Sequence, residues 1–359
     1  MDQSLKELLL EQPSVSTEPL YNILRNCSYE FKTFCILNTA IELGIFDYLA
    51  SPQTLESLCE TLQLNTDIIR DMLAYLKELE LVEESNRLYK NSAISRYYLQ
   101  SNSPFSQHNV VKNLENGFKI WEKLTEIVKA GPIPAKENKF FANNLIHSLA
   151  EEALGGELPK VVGIIKELPE FVNAKSLLDL GGGHGLYSIA FTAANSGLWA
   201  DVYDFPNVIE DTQKYINKYR ADRVGTIPGN YFKDGIHKCY DIVFFSYNPG
   251  GKRPELIAKI HDRLNPEGIF ISKHCFYRQG EDSKNLLLDI EWNLLSFEGA
   301  PKESRIYSFY GDCRLEEYLE LVKNLFIIKD VIEAPAFAGQ GLGKIGDALD
   351  SVLIIAQKK

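Results

Sequence analysis

The sequence predicts a mostly helical unit followed by an α/β unit built on a largely parallel sheet. Three observations carry that prediction. Apolar residues recur at helical spacing through the N-terminal part, short apolar runs alternate with helical stretches from Lys175 onward, and a glycine-rich turn follows the first of those runs. Length agrees with two units, because 359 residues exceed the roughly 250–300 at which a single core stops growing.

The first helix is expected over Tyr29 to Ala50, where Phe34, Ile36, Leu37, Ala40, Ile41, Ile45 and Phe46 share one face and Gly44 marks the C-terminal end. Thr54 to Leu62 and Asn65 to Leu79 follow as shorter helices, each opened by a residue whose side chain can cap free amides. The stretch LVEESNRLYKNS alternates apolar and polar residues around Ser85-Asn86 and reads as a hairpin. Helices followed by a hairpin give the winged-helix order. Residues 1–105 hold 15 acidic and 8 basic side chains, and the helix with Asp67, Arg70, Asp71, Lys77 and Glu78 would present carboxylates to phosphate, so DNA binding is disfavoured. Dimerisation is the expected use, given Leu8, Leu9, Leu10, Leu20 and Ile23 near the start. Residues 106–170 read as a helical connector whose Trp121, Phe140, Phe141, Leu145 and Leu149 can wall a pocket or pack between domains.

From 171 to 359 the runs SLLDL, WADVYD, VGTIPG, DIVFFS, GIFISK, FIIKDVIEA and SVLIIAQKK read as strands of a sheet covered on both faces. The final two are expected to pair antiparallel at an edge around GQGLGKIG.

Composition narrows the function. With 45% hydrophobic and 24% charged residues, the bulk of the chain can bury a core, which excludes intrinsic disorder. The most apolar stretch, Cys35 to Ala50, is interrupted by Asn38, Glu42 and Asp47 and falls short of the ~18 residues of a spanning helix. The start, MDQSLKELLLEQ, lacks the basic region of a secretory signal, so a cytoplasmic protein is expected. A net charge of -11 without a basic patch argues against nucleic acid and anionic lipid as partners. Six scattered cysteines, without a CxxC pair or histidines at zinc spacing, suggest reduced thiols and no metal.

Chemistry enters at Leu178-Asp179-Leu180-Gly181-Gly182-Gly183-His184-Gly185, a buried strand that runs into a glycine turn and then a helix from Leu186 to Ala194. Glycines let the backbone approach a ligand, and the helix start offers free N–H groups. A dinucleotide fingerprint read from Gly181 fails at Leu186, whereas D-x-G-x-G-x-G is satisfied by Asp179, Gly181, Gly183 and Gly185. Asp204, closing the next strand, stands where a carboxylate accepts from ribose hydroxyls.

That pattern resembles motif I of the class I S-adenosylmethionine-dependent methyltransferases. Together with AIELGIFDYL, LVEESNRLYKNS, YDFPNVI, GNYF and NPEGIFISK, it makes nearly the whole chain similar to the small-molecule O-methyltransferases. The resemblance implies a winged-helix dimerisation domain before a Rossmann-like catalytic domain, S-adenosyl-L-methionine as cofactor, and a homodimer acting on a small aromatic or heterocyclic acceptor. It also implies that Gly181, Gly183 and Gly185 cradle the methionine part, that Asp204 holds the ribose, and that Phe205 faces adenine, with Tyr231 and Ser246 lining the same site. The family's G-D-x-F has Asn230 in place of its aspartate.

A second departure bears on mechanism. Where the family carries L-H-D-W, with histidine as general base, this chain reads Phe244-Phe245-Ser246-Tyr247-Asn248-Pro249-Gly250-Gly251. His274 after GIFISK, His147 on FFANNLIHSL and Tyr247 are the candidate replacements. Asp289, Trp292 and Asn293 match the helix that lines the family's substrate pocket, Phe141 is a candidate wall residue, and Arg305 and Tyr307 follow. Three readings stay open: O-methylation with a substitute base; S-, N- or C-methylation, which needs the base less; and a cofactor-binding homologue that transfers no methyl group.

Overall fold

Capping chemistry shapes the N-terminal helices as their sequence suggests. Thr54 Oγ1 accepts from Ser57 N at 3.1 Å to open the helix Leu55–Leu62, and Asn65 Oδ1 accepts from Ile68 N at 3.1 Å to open Thr66–Glu78. The structure, a computed structural model, describes residues 10–136, 144–248, 250–298, 301–303, 306–333 and 351–359. It divides into units 1–106 and 107–359, so the expected connector belongs to the second.

In the first unit the long helix Glu18–Glu42 starts well before the Tyr29 expected, with proline in its opening turn, where the missing N–H is no loss. Among its residues only Ala40 is buried, while Leu20, Ile23, Leu24 and Phe31 are 55–61% exposed. Gly44 takes φ +69 and ends this helix. A core of Ile45, Phe46, Leu58, Leu73, Leu76 and Val82 holds the unit together. Strands β1 (Val82–Ser85) and β2 (Leu88–Asn91) pair antiparallel through Asn86 and Arg87, both at positive φ, as a tight hairpin requires.

The second unit contains β3 (Ile133–Ala135), β4 (Ser176–Leu180), β5 (Trp199–Asp204), β6 (Val224–Pro228), β7 (Tyr240–Ser246), β8 (Leu264–His274), β9 (Leu295–Phe297), β10 (Phe326–Glu333) and β11 (Val352–Lys358). Seven of them form one sheet in the order β10-β11-β8-β7-β4-β5-β6, and β3 pairs with β9 alone. From β8 to β6 neighbouring strands are parallel, whereas β11 lies antiparallel between β8 and β10. Of the two final strands, then, only β10 is at the edge. The GQGLGKIG stretch lies outside the described residues.

Alternation along the strands explains why both faces are covered. Leu178, Leu180, Val243, Phe245 and Phe270 enter one apolar cluster, and Leu177, Ile242, Phe244, Ile269 and Ile271 enter the other. Strand order reverses between β4, which leads to β5 and β6 on one side, and β7, which leads to β8 on the other. A crevice opens at the carboxyl ends of strands at such a reversal, and ligands of open α/β sheets bind there.

Candidate active site

The turn after β4 is built by glycine. Gly181, Gly183 and Gly185 have φ of +64, +53 and +72, and at Gly185 a Cβ would also lie 3.0 Å from Thr212 Cγ2. At Gly182 the constraint is closeness alone, since a Cβ would stand 2.5 Å from the Asp179 carboxyl carbon. Thr212 Oγ1 donates to Gly183 O at 2.6 Å and fixes the loop on the helix Pro206–Tyr219.

Two buried carboxyls support this turn. Asp204 Oδ2 accepts from Gly183 N at 2.9 Å and Oδ1 from Phe205 N at 2.7 Å, and Asp179 Oδ2 accepts from Ser188 Oγ at 2.8 Å. Burial raises Asp204 to about 6 against the opposing pull of its backbone donors. Asp179 rises to about 7, first through burial and then through the charge of Asp204, with Ser188 opposing. Among the described residues neither carboxyl has a cationic partner within ion-pair distance. Such a cradle suits a ligand that carries positive charge and donates hydroxyl hydrogens; it disfavours a pyrophosphate. His184 is 9% exposed, and its Nδ1 accepts from Leu186 N at 3.1 Å. Burial, then Lys273 and His147, lower it to about 4.

The remaining cofactor candidates surround the turn. Phe205 immediately precedes the helix Pro206–Tyr219. Asn230 Oδ1 accepts from Phe232 N at 2.9 Å, closing its own turn. Tyr231 donates its hydroxyl to Asn248 Oδ1, and the Asn248 side chain covers Gly181, where a Cβ would meet its Nδ2 at 2.2 Å. Ser246 Oγ lies 3.5 Å from Lys273 Nζ.

At the carboxyl ends of β7 and β8 a cavity opens, with about 350 Å³ of empty space including its mouth. Tyr247, Asn248 and His274 line it from the strands, Trp292, Tyr307 and Phe309 supply aromatic walls, and Lys252 and Asp312 form a buried ion pair at 3.2 Å. His274 is 1% exposed and its Nδ1 accepts from Asn248 N at 3.3 Å, so the neutral ring carries its proton on Nε2. Burial, then Lys252 and Lys273, hold it well below the ordinary histidine value. The basic lone pair on Nδ1 is thereby committed to Asn248 N, and the opposite edge of the ring packs against Gly251, where a Cβ would stand 2.8 Å from Nε2.

His147 lies elsewhere. Its Nδ1 is 2.9 Å from Tyr215 Oη and its Nε2 3.5 Å from Asp211 Oδ1, both on the helix Pro206–Tyr219. Of the substrate candidates, Trp292 lines the cavity. Asp289 does not: it accepts from Tyr277 Oη at 3.2 Å, Tyr307 N at 2.9 Å and Ser283 Oγ, a set of partners that organises the surrounding chain. Asn293 donates to Asp289 O at 2.8 Å. Phe141 and Arg305 lie outside the described residues.

One pair escaped the sequence reading. Lys273, 2% exposed, places Nζ 2.6 Å from Glu157 Oε1, which also accepts from Tyr187 Oη at 3.1 Å. The Tyr247 ring lies 5.5 Å from the same ammonium. A lysine ending an otherwise apolar strand is itself a signal, because lysine is seldom buried without a partner. Finding Glu157, on the kinked segment Ala153–Glu157, needs the fold.

Comparison with known proteins agrees with this geometry. Residues 26–101 match the O-methyltransferase dimerisation domain and residues 159–295 the O-methyltransferase domain. An uncharacterized protein of Methanocaldococcus jannaschii is 38% identical over 92% of this chain and 91% of its own length. Human acetylserotonin O-methyltransferase is 23% identical over 70% of this chain and 79% of its own. Among solved structures, an O-methyltransferase family protein from Burkholderia thailandensis superposes with a TM-score of 0.69 at 17% identity, covering 97% of this chain and 99% of that one. Human N-acetylserotonin methyltransferase in complex with SAM gives 0.66 at 18% identity, with the same 97% and 99% covered. With a glycine turn over two buried carboxyls at the reversal of a mixed sheet, behind a dimerisation domain, the chain belongs to the S-adenosylmethionine-dependent O-methyltransferase family.

Proposed function

We propose that this protein methylates a small, flat acceptor, aromatic or heterocyclic, held at the carboxyl ends of β7 and β8, with oxygen as the accepting atom. Bound S-adenosylmethionine supplies an electrophilic methyl carbon on a positively charged sulfur. Asp204 receives the ribose hydroxyls through lone pairs not used by Gly183 N and Phe205 N, and the open backbone at Gly183 admits the methionine part. The observation that carries the reading is the pair of buried carboxyls, Asp179 and Asp204, lying without a cation among the described residues.

Base catalysis has little part in it. His274 has spent its basic lone pair on Asn248 N, and both ring nitrogens of His147 face the helix Pro206–Tyr219. An acceptor that enters ionised, or releases its proton to solvent, then needs only alignment with the methyl carbon and exclusion of water. The ammonium of Lys273, near Ser246 and Tyr247, favours the ionised form of such an acceptor. The same lack of a base favours, as a second reading, a homologue that binds the cofactor without transferring its methyl group.

Incubation with methyl-labelled S-adenosylmethionine and a panel of phenols, thiols and amines tests both. Label in a phenol ether supports the first reading, label in a thioether or amine moves the accepting atom, and tight cofactor binding without labelled product supports the second. The exposed apolar side chains of Glu18–Glu42, together with the match to a dimerisation domain, further support a homodimer.

A further inference from the structure

Asn248 belongs to both halves of the site. Its side chain packs on the glycine turn, where it leaves no room for a Cβ on Gly181, and the same residue lines the cavity at the carboxyl ends of β7 and β8. Three attachments fix it there. Its backbone N donates to His274 Nδ1 at 3.3 Å, its Oδ1 accepts from Tyr231 Oη, and the chain enters it through Tyr247 at φ +48. Because Oδ1 faces Tyr231, the end of the carboxamide turned to Gly181 is Nδ2. That nitrogen carries two N–H donors, and among the described residues neither has an acceptor. A rigidly held donor on the boundary between turn and cavity is the arrangement that stabilises charge at a reacting atom without reorganising.

We propose that Asn248 Nδ2 holds the accepting atom of the substrate, and that this atom is an oxygen which has already lost its proton. The inference rests on the methyltransferase reading above, in which the cofactor lies on the turn and the acceptor in the cavity. Where the two ligands meet, the cofactor presents a sulfonium and its methyl carbon, and neither can accept a hydrogen. The atom to be methylated can. A deprotonated oxygen has lone pairs enough for both tasks: one forms the bond to the methyl carbon, the sulfur keeps the electrons of the bond that breaks, and another lone pair stays on Nδ2. No proton moves in that step, so no base is needed. An amine nitrogen has a single lone pair, for which Nδ2 would compete with the methyl carbon, and sulfur is a weak acceptor. A neutral hydroxyl would keep a proton that a carboxamide cannot remove. The donor at Asn248 thereby selects an ionised phenol or enol over an amine or thiol.

The test uses the full-length protein, first titrated calorimetrically with S-adenosylhomocysteine and then, with that compound present, with two single-ring probes. One is 4-nitrophenol at a pH where it is ionised, and the other is 4-nitroaniline, its neutral nitrogen counterpart. The visible absorbance of the phenolate reports its ionisation on the protein without turnover. Wild type should bind the phenolate at least about tenfold more tightly than the aniline, the scale of one hydrogen bond to a charged group. Asn248→Leu keeps the bulk and removes the donor; it should lose at least about that factor for the phenolate and raise the pH at which the bound phenol ionises. Asn248→Asp keeps the shape and sets a carboxylate against the phenolate, with at least the same loss. Equal binding of the two probes by wild type, binding of neither, or a preference that survives both substitutions overturns the inference. So does loss of S-adenosylhomocysteine binding in both variants, which would place Asn248 on the cofactor instead. Failure of the wild type to bind S-adenosylhomocysteine would overturn the methyltransferase reading, whatever the probes do.

Discussion

Lowering the pH should expel the cofactor from this protein through Asp204, and the size of the effect follows from the structure. In the ligand-free fold burial holds this carboxyl at about 6. Ribose hydroxyls donate hydrogens and a sulfonium is cationic, so bound S-adenosylmethionine favours the ionised carboxylate. At about pH 5 the group is roughly nine-tenths protonated, and affinity should be about tenfold weaker than at about pH 8 from Asp204 alone. Asp179, at about 7, adds to the loss, but the charge of Asp204 is among the causes of its rise, so the two titrate as a pair and tenfold is a floor. Calorimetry at about pH 6, repeated in buffers of different ionisation enthalpy, should show roughly half a proton or more released per cofactor bound. Affinity that stays flat between about pH 5 and 8, or proton uptake on binding, would refute the assignment of these carboxyls to the cofactor.

The other predictions concern packing and assembly. In the ligand-free protein the raised carboxyls contribute stability that is full below the unfolded value of 3.8 and is lost as pH rises through about 6 and about 7. For Asp204 that interval corresponds to about 3 kcal/mol, and thermal melts of Asp204→Asn should show a correspondingly flatter pH profile than wild type. Gly185→Ala, at φ +72 and 3.0 Å from Thr212 Cγ2, should cost about 1–3 kcal/mol in thermal stability and weaken cofactor binding by calorimetry. Glu157→Gln strands Lys273 in the interior, with an expected loss of about 3–5 kcal/mol in chemical denaturation, whereas the double change Glu157→Gln with Lys273→Met should recover most of it. Phe31→Glu, at an exposed apolar position of Glu18–Glu42, should shift the light-scattering mass from dimer toward monomer while leaving the fold intact by circular dichroism.

Much of the sheet was legible because β4, β7, β8 and β11 carry continuous apolar runs, and that pattern survives any tertiary context that buries both faces. The glycine turn was legible for a similar reason: positive φ at Gly181, Gly183 and Gly185 is written into residue type. The early start of Glu18–Glu42 was not, since its apolar residues stay exposed and give no one-sided pattern to read. Pairing of β3 with β9 joins residues far apart in the chain, as do Glu157 with Lys273 and Lys252 with Asp312. Such partners are chosen by topology, which a single sequence does not display. The tautomer of His274 was hidden more deeply, for it depends on which ring nitrogen faces one backbone amide.

That amide joins the altered loop to the histidine opposite it. In place of L-H-D-W, the chain leaves β7 through Tyr247 at φ +48, an uncommon conformation for a non-glycine residue, and this turn brings Asn248 N toward β8. At the end of β8 stand Lys273 and His274, on opposite faces of the strand: Lys273 turns to Glu157 and His274 to Asn248. The altered loop thus does more than delete a base; it fixes the tautomer of the histidine opposite and converts a proton acceptor into a proton-bearing donor.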